Sequence, residues 1–167
     1  MAELLTIDPS INHCGWARRT GEKSELIYGT VNAPKEVRSS SDEFRLLWMV
    51  DALKNAVPFI NGPPDYLNVT AIERPDLWGA YKSVASQHSG ALQLLTLVVG
   101  ALFHASSTWS DKVKLVRVSD WKGQLPKDIS QERTEKYYGV KCRTDHEADA
   151  LGLLRYLEEG ERWKTLS

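Results

Sequence analysis

Residues 4–32 read LLTIDPSINHCGWARRTGEKSELIYGTVN and predict three short strands joined by tight turns. The apolar run Leu4–Ile7 comes first, an extended segment follows near Gly15–Arg19, and a third extended segment covers Leu26–Val31. Gly21 is placed in the turn between the second and third segments. Because consecutive strands with short connections pair antiparallel, the opening of the chain predicts a meander.

Later segments alternate between helical and extended patterns. Beyond Ser41, apolar residues recur at spacings of three and four, which is typical of an amphipathic helix. The last helix has a clear start, because Thr144 and Glu147 form a T-x-x-E capping box. The predicted elements after the meander are a helix from Ser41 to Val57 that Pro58 and Gly62 help to end, a strand at Val69–Glu73, a helix at Ser83–His104, a strand at Val113–Val118, a helix at Ser130–Tyr138 closed by Gly139, and a helix from Thr144 to Gly160.

This order of elements predicts an α/β fold. The fourth and fifth strands each follow a helix, and parallel strands need helical crossovers of this kind. The 167 residues fall in the usual range of one domain, and no repeat or linker-like stretch divides them. We therefore expect one domain over residues 1–167, with helices on a mixed five-stranded sheet made of a three-strand meander and two parallel strands.

Composition narrows the functional classes. The longest apolar run, Leu92–Phe103, contains Gln93 and Thr96 and falls short of the ~18 residues that suggest a membrane span. The first residues, MAELLTID, carry neither the basic segment nor the long apolar stretch of a secretory signal, so we expect a cytoplasmic protein. Cys14 and Cys142 are too few for a disulfide framework or a zinc cluster, and we expect reduced thiols.

Positive charge is concentrated in one part of the chain. The formal net charge is −1, but the segment Lys112–Arg143 holds nine Lys or Arg against four Asp or Glu. Such asymmetry suits a face that contacts phosphates, although charge alone favours an ordinary solvated face equally.

Acidic residues stand where an α/β sheet would gather them. Asp8 ends the first strand, Glu73 ends the fourth, and Asp149 lies in the first turns of the last helix. Because ligands collect at the carboxyl ends of strands in such sheets, Asp8 and Glu73 share one crevice if their strands are neighbours. His146 and Asp149 lie on one helical face because they are three residues apart, and Asp145 and Asp149 also share a face.

These side chains together predict a metal site. Clustered carboxylates repel one another and are costly to desolvate unless a cation lies among them. Oxygen-rich ligation suits Mg²⁺ or Mn²⁺, and two ions about 4 Å apart can hydrolyse a phosphodiester. The positive helix terminus is expected to keep His146 unprotonated and available to a metal. The predicted ligands and catalytic residues are Asp8, Glu73, His146 and Asp149, with Asp145 as a candidate additional ligand.

Each of these residues also has a purely structural interpretation. Asp8 can be a turn former at a strand end, and Glu73 can form a surface ion pair with Arg74. The segment DHEADA can be a well-capped amphipathic helix that packs through its apolar positions. The combination of strand-end acids with a His/Asp pair is what favours the metal site.

Three segments carry a resemblance to a known family. LLTIDPSINHCGWA, AIERPDLWG and DHEADALGLLRYL, in this order, resemble the RuvC family of Holliday junction resolvases, within the RNase H-like superfamily. The family pattern is a first-strand Asp followed by Pro and a downstream Gly, a fourth-strand Glu, and a last helix with an acid or His three residues before an Asp. The matching residues are Asp8-Pro9, Gly15, Glu73, and the pair His146 and Asp149. The resemblance covers nearly the whole chain, and the segment VSDWKGQLPK is more similar to phage-encoded members than to cellular ones.

The resemblance implies a homodimer that binds branched DNA in a bacterial cytoplasm, encoded by the bacterium or by its phage. Such an enzyme nicks two strands of like polarity symmetrically at a four-way junction, with Mg²⁺ or Mn²⁺ in the site. Many members have Asp where His146 stands, so the metal preference is left open. The aromatic residue that often follows the catalytic Glu and stacks on an unpaired base has Trp78 as its candidate here, with Tyr81 nearby, and packing is the alternative role. The basic candidates for DNA contact are Arg74, Lys114, Arg117, Lys122, Lys127, Arg133 and Lys136.

Other functions are compatible with the same residues. Another RNase H-like nuclease would act on RNA:DNA hybrid, structured RNA or flap DNA through the same metal chemistry. A non-catalytic junction-binding protein would keep the fold, although it would have no need to hold mutually repelling carboxylates. An actin-like ATPase or kinase is disfavoured, because the 167 residues hold no second Gly-rich phosphate loop.

Overall fold

A computed structural model describes residues 3–20, 25–57, 67–75, 90–123 and 125–165. The strands are β1 (Leu4–Asp8), β2 (His13–Arg19), β3 (Leu26–Asn32), β4 (Leu67–Arg74) and β5 (Ser110–Arg117). The helices are α1 (Lys35–Arg38), α2 (Asp42–Ala56), α3 (Ala91–Ser106), α4 (Val118–Trp121), α5 (Lys127–Tyr138) and α6 (Asp145–Thr165). The predicted order of strands and long helices is confirmed, and the short helices α1 and α4 are additional to it.

The strands form one mixed sheet in the order β3-β2-β1-β4-β5. β1 pairs antiparallel with β2, and β2 pairs antiparallel with β3, as a meander requires. β4 lies parallel beside β1, and β5 lies parallel beside β4. The predicted α/β architecture is confirmed, and β1 and β4 are neighbours, which is the condition for a crevice shared by their carboxyl ends.

Alternation along the strands assigns each side chain to one face of the sheet. Ile7 and Ile72 belong to the core cluster that α2 and α3 cover. Ala71 belongs to the cluster on the opposite face, which α6 covers. Because successive side chains point to opposite faces, Asp8 and Glu73 lie on the face that α6 covers.

The helix α6 lies close against the sheet at its amino-terminal end. Thr6 of β1 donates its hydroxyl to the carbonyl oxygen of Ala150 at 2.7 Å. Gly15, which pairs with Asp8 across β1 and β2, is so close to α6 that a Cβ at this position would lie 2.0 Å from the carbonyl oxygen of His146. Glycine alone permits this approach, so β2 and the first turn of α6 meet backbone against backbone.

The start of α6 is capped as the sequence predicts. The Glu147 N–H donates to Thr144 Oγ1 at 3.1 Å, and the Arg143 N–H donates to the Glu147 carboxylate at 2.7 Å. Thr144 Oγ1 also lies 2.7 Å from Thr30 Oγ1 in β3. These bonds set the point at which α6 begins and therefore the height of His146 above the sheet.

The ends of the last two helices test two glycine predictions. Gly139 closes α5 in the left-handed conformation, with φ of 67°, as the sequence predicts. The prediction that Gly160 ends the last helix is wrong, because α6 continues to Thr165. A single exposed glycine costs a helix only about 1 kcal/mol relative to alanine, which neighbouring turns can offset.

The predicted helix Ser83–His104 does not run unbroken. Gly90 has φ of 72° and precedes α3, which begins at Ala91. A left-handed residue cannot continue a right-handed helix, so the boundary falls at this glycine. The remaining predictions for residues 83–89, for the turn at Gly21 and for the helix terminators Pro58 and Gly62 lie outside the described residues.

Two exclusions drawn from composition can be compared with the structure. No helix in the described ranges is both long enough and apolar enough to cross a bilayer. Cys14 and Cys142 are buried free thiols, in agreement with the expectation of unpaired cysteines.

Candidate active site

Four of the predicted site residues meet on the α6 face of the sheet. Asp8 is the last residue of β1, and the parallel register places it beside Glu73 near the end of β4. His146 and Asp149 come from the first turns of α6. His146 Nδ1 lies 2.6 Å from Asp8 Oδ2, which joins the helix to the strand. Residues far apart in sequence therefore form one cluster at the carboxyl ends of β1 and β4.

A lysine and an indole enter the cluster from the end of α4. Lys122 Nζ lies 2.6 Å from Asp149 Oδ1, and the two side chains are only 13% and 16% exposed. Trp121 donates its Nε1–H to Glu73 Oε2 at 2.9 Å. The sequence suggested Lys122 as a DNA contact, whereas the structure pairs it with a carboxylate of the site. Trp121 was not among the predicted residues, and its one signal was its place in the segment VSDWKGQLPK.

Burial and electrostatic repulsion raise the pKa values of two acids in the cluster. Burial and the nearby carboxylates of Asp8 and Asp149 raise the pKa of Glu73 from 4.5 to about 8. Burial also raises the pKa of Asp8, although the hydrogen bond and the charge of His146 act in the opposite direction. Negative charge is therefore costly here, and a bound cation would relieve that cost.

The chemistry of the donor set fits a hard divalent cation. The three carboxylates suit both Mg²⁺ and Mn²⁺, and the imidazole suits Mn²⁺ better than Mg²⁺. Within the described ranges, no group of three or more His, Cys, Asp or Glu side chains is arranged to hold one ion as it stands. Each carboxylate is instead held by a donor of the protein, and the pairs are Asp8 with His146, Glu73 with Trp121, and Asp149 with Lys122.

The protonation of His146 differs from the sequence expectation. The hydrogen bond to Asp8 raises the pKa of the imidazole, and this effect outweighs burial, which lowers it. The expectation that the helix terminus keeps His146 unprotonated is therefore wrong in direction. A carboxylate in direct contact acts more strongly than the partial charge spread over a helix end. The ring is also stacked on His13 of β2, with 5.9 Å between centroids.

Asp145 faces a different partner from the other acids. It contacts the Lys127 ammonium group, and that hydrogen bond lowers the pKa of Asp145. Its Oδ1 accepts a hydrogen bond from the His146 N–H at 3.1 Å. Since its side chain is 45% exposed, these contacts suit the alternative in which it complements the helix dipole.

The other predicted DNA contacts fall into three groups. Arg74 ends β4 directly after Glu73 and is partly buried. Arg117 in β5 pairs with Asp120 at 3.0 Å, and Lys114 lies in the same strand. The exposed basic residues of α5 are Lys127, Arg133 and Lys136. Trp78 and Tyr81 lie outside the described residues.

Comparisons with known proteins bear on the fold. No protein-family profile and no curated protein matches this sequence. The structure is similar to RuvC of T. thermophilus in complex with a Holliday junction substrate, with a TM-score of 0.73 and 18% identity, covering 99% of this chain and 98% of that one. It is also similar to the yeast mitochondrial Holliday junction resolvase Ydc2, with a TM-score of 0.56 and 11% identity, covering 99% of this chain and 84% of that one. The chain therefore has the RNase H-like fold of the RuvC resolvases.

Proposed function

We propose that this protein is a divalent-metal-dependent endonuclease that resolves four-way DNA junctions by symmetric phosphodiester hydrolysis. The observation that carries the proposal is the meeting of Asp8, Glu73, His146 and Asp149 at the carboxyl ends of β1 and β4. The fold of this chain is shared by a RuvC in complex with a Holliday junction substrate and by a Holliday junction resolvase. A cluster of repelling carboxylates in that fold is what metal-assisted hydrolysis requires.

Each residue of the cluster has a role in this proposal. The carboxylates of Asp8, Glu73 and Asp149 and the imidazole of His146 would hold two Mg²⁺ or Mn²⁺ ions, with Asp145 as a candidate additional ligand. The chemistry that such ions supply is activation of water and neutralisation of charge on the leaving 3′ oxygen. Asp8 also orients the His146 ring through their 2.6 Å contact.

Positive side chains beside the cluster favour a phosphate-bearing substrate. Lys127 at the start of α5 contacts Asp145, and its side chain is 58% exposed. Arg133 and Lys136 extend the exposed positive charge along the same helix. Contacts of this kind to the DNA backbone give affinity without sequence preference, and they weaken steeply as salt displaces them.

Symmetric cleavage of a two-fold substrate calls for a second copy of the chain, and we propose a homodimer. Large apolar side chains are exposed on the packed helices α2 and α3, with Phe44 52% exposed, Leu47 69% and Leu97 62%. Phe44 and Leu47 are three residues apart on one face of α2, and a contiguous apolar patch is typical of a surface that another protein covers.

The decisive experiment compares the wild type with Asp8→Asn on a mobile four-way junction, with Mg²⁺ and with Mn²⁺. We expect paired nicks by the wild type, and we expect Asp8→Asn to bind the junction without cleaving it. Asp42→Asn, a change at an exposed position of α2, is the matched control and should cleave normally. Equal cleavage by Asp8→Asn and wild type would contradict the site.

Parallel substrates separate the proposed function from its rivals. Duplex, flap DNA and RNA:DNA hybrid are tested under the same conditions as the junction. Faster cleavage of hybrid or flap than of the junction would identify another kind of RNase H-like nuclease. Tight junction binding by the wild type, with no cleavage in either metal, would identify a non-catalytic binding protein.

A further inference from the structure

The indole of Trp121 contacts two elements that carry candidate catalytic acids. Its Nε1–H donates to Glu73 Oε2 of β4 at 2.9 Å. Its six-membered ring lies against the backbone of α6, where a Cβ on Gly152 would be 2.4 Å from Trp121 Cζ3 and 3.1 Å from Cη2. One rigid side chain from α4 therefore spans the gap between a strand and a helix of the site.

The position of Gly152 explains why the ring can lie so close to α6. Gly152 is three residues after Asp149, so both lie on the same face of the helix. Any larger side chain at residue 152 would displace the indole from that face, because the ring already occupies the space of a Cβ. The ring is therefore held at a set distance from the backbone that carries Asp149.

We propose that Trp121, seated on Gly152, is a positioning residue that sets the orientation of the Glu73 carboxylate relative to Asp149. This inference rests on the proposed nuclease function and adds a residue to its site. Trp121 acts through Glu73 and has no role as a ligand or an acid. Without this hydrogen bond the Glu73 carboxylate would be free to rotate, because a glutamate side chain has three rotatable bonds and a broad terminal torsion.

The chemistry of the indole suits this role better than a charged donor would. The indole N–H donates one hydrogen bond and carries no ionisable charge, so it directs the carboxylate without neutralising it. Lys122 in the same cluster neutralises Asp149 as well as contacting it. The indole thus sets the direction of the Glu73 carboxyl group and adds no positive charge of its own, so the charge of that group is left for a cation to balance.

Trp121→Phe tests the inference, because phenylalanine keeps an aromatic ring and removes the N–H donor. We expect kcat for junction cleavage to fall roughly 10- to 100-fold, since small misplacements of catalytic groups have effects of this size. Junction affinity without divalent metal should change by less than about 2-fold, because Trp121 contacts Glu73 and not the DNA in this proposal. The matched control is Trp109→Phe, where the buried indole nitrogen has no hydrogen-bond partner among the described residues, and kcat should stay near wild type.

A measurement without metal or substrate tests the same bond. Trp121→Phe, Glu73→Ala and the double variant are compared in urea unfolding with EDTA present at about pH 9, above the raised pKa of Glu73. We expect the two changes to be non-additive by about 10-fold or more in the unfolding equilibrium constant, as a hydrogen bond to a charged acceptor predicts. Additive effects would overturn the inference, as would wild-type kcat for Trp121→Phe when the wild type cleaves junctions.

A second variant acts from the other side of the indole. Gly152→Ala leaves the donor in place and displaces the ring, so kcat should fall in a protein that still binds the junction. A wild-type kcat for Gly152→Ala would count against the seating of the ring. If the wild type cleaves no junction, the proposed function fails, and the unfolding cycle still decides whether Trp121 holds Glu73.

Discussion

Replacing Gly15 with alanine should separate the first turn of α6 from the sheet and inactivate the site. The added Cβ would lie 2.0 Å from the carbonyl oxygen and 2.4 Å from the carbonyl carbon of His146. Both are backbone atoms, so no side-chain rotation relieves the contact. Gly15 pairs with Asp8, and His146 contacts Asp8. The start of α6 must therefore move away from the end of the sheet that carries Asp8 and Glu73.

The size of the effect follows from the distances. An opening of about 1.4 Å restores the 3.4 Å of an ordinary contact with the His146 carbonyl. Overpacking of this kind typically costs about 1 to 3 kcal/mol, and the lower entropy of the unfolded alanine chain returns ~0.4 to 1 kcal/mol. The midpoints of these ranges give a net loss of roughly 1.3 kcal/mol, which lowers the melting temperature by roughly 3 to 5 °C in a chain of this size. A displacement of about 1 Å in a catalytic group can reduce its rate roughly 100-fold.

The assay measures melting temperature by circular dichroism and single-turnover cleavage of a four-way junction at 25 °C, where the variant is folded. Gly100→Ala is the matched control, because a Cβ at that exposed position of α3 meets no atom of the described residues within 4 Å. The control should be slightly more stable, by about 0.5 to 1 kcal/mol, since alanine favours a helix over glycine. A Gly15→Ala protein with the stability and cleavage rate of the wild type would refute the backbone contact and the reasoning built on it.

Four further predictions concern the site, the cap of α6 and the two proposed surfaces. Glu73→Gln should stabilise the protein in EDTA by roughly 3 kcal/mol at most at pH 7. Because the pKa of Glu73 is raised from 4.5 to about 8, the stability of the wild type falls as pH rises through that window. A difference in melting temperature between variant and wild type that does not widen from pH 5 to pH 8 would contradict this. Thr144→Ala should lower the free energy of unfolding by about 1 kcal/mol through loss of the α6 cap, and Thr144→Ser should restore most of it, as measured by urea unfolding. Leu47→Lys should shift the protein from dimer to monomer in light scattering, whereas Asn55→Lys, an exposed change on the same helix, should leave the dimer intact. Arg133→Gln should reduce the slope of log affinity against log salt for junction binding by about 1, and an unchanged slope would remove Arg133 from the DNA contacts.

Local patterns account for most of the secondary structure that was predicted correctly. The apolar runs of β1 and β4 and the capping box at Thr144 each depend on residues close in sequence, so they can be recognised without knowledge of the fold. The failure at Gly160 has the same origin, because a glycine signal is weak when the turns around it hold the helix. The break at Gly90 could not be distinguished from a tolerated helix glycine by spacing alone.

The candidate site was predictable in part for a similar reason. Strand-end acids and a His/Asp pair at helical spacing mark Asp8, Glu73, His146 and Asp149 one element at a time. Trp121 carries no such mark, because its partners Glu73 and Gly152 are 48 and 31 residues away in the chain. The downstream glycine of the family pattern, Gly15, was visible as a motif, and its physical reason is the approach of the His146 backbone.

The sequence by itself determined the meander and the position of the α6 cap and singled out the candidate acids, because periodicity, capping and strand ends can be recognised from a few neighbouring residues. Only the tertiary structure decided that β4 lies next to β1 and that Lys122 and Trp121 enter the cluster. It also decided that Asp8 raises the pKa of His146 against the expectation from the helix terminus. Distances between groups remote in the chain depend on how whole elements pack, and electrostatic effects follow those distances.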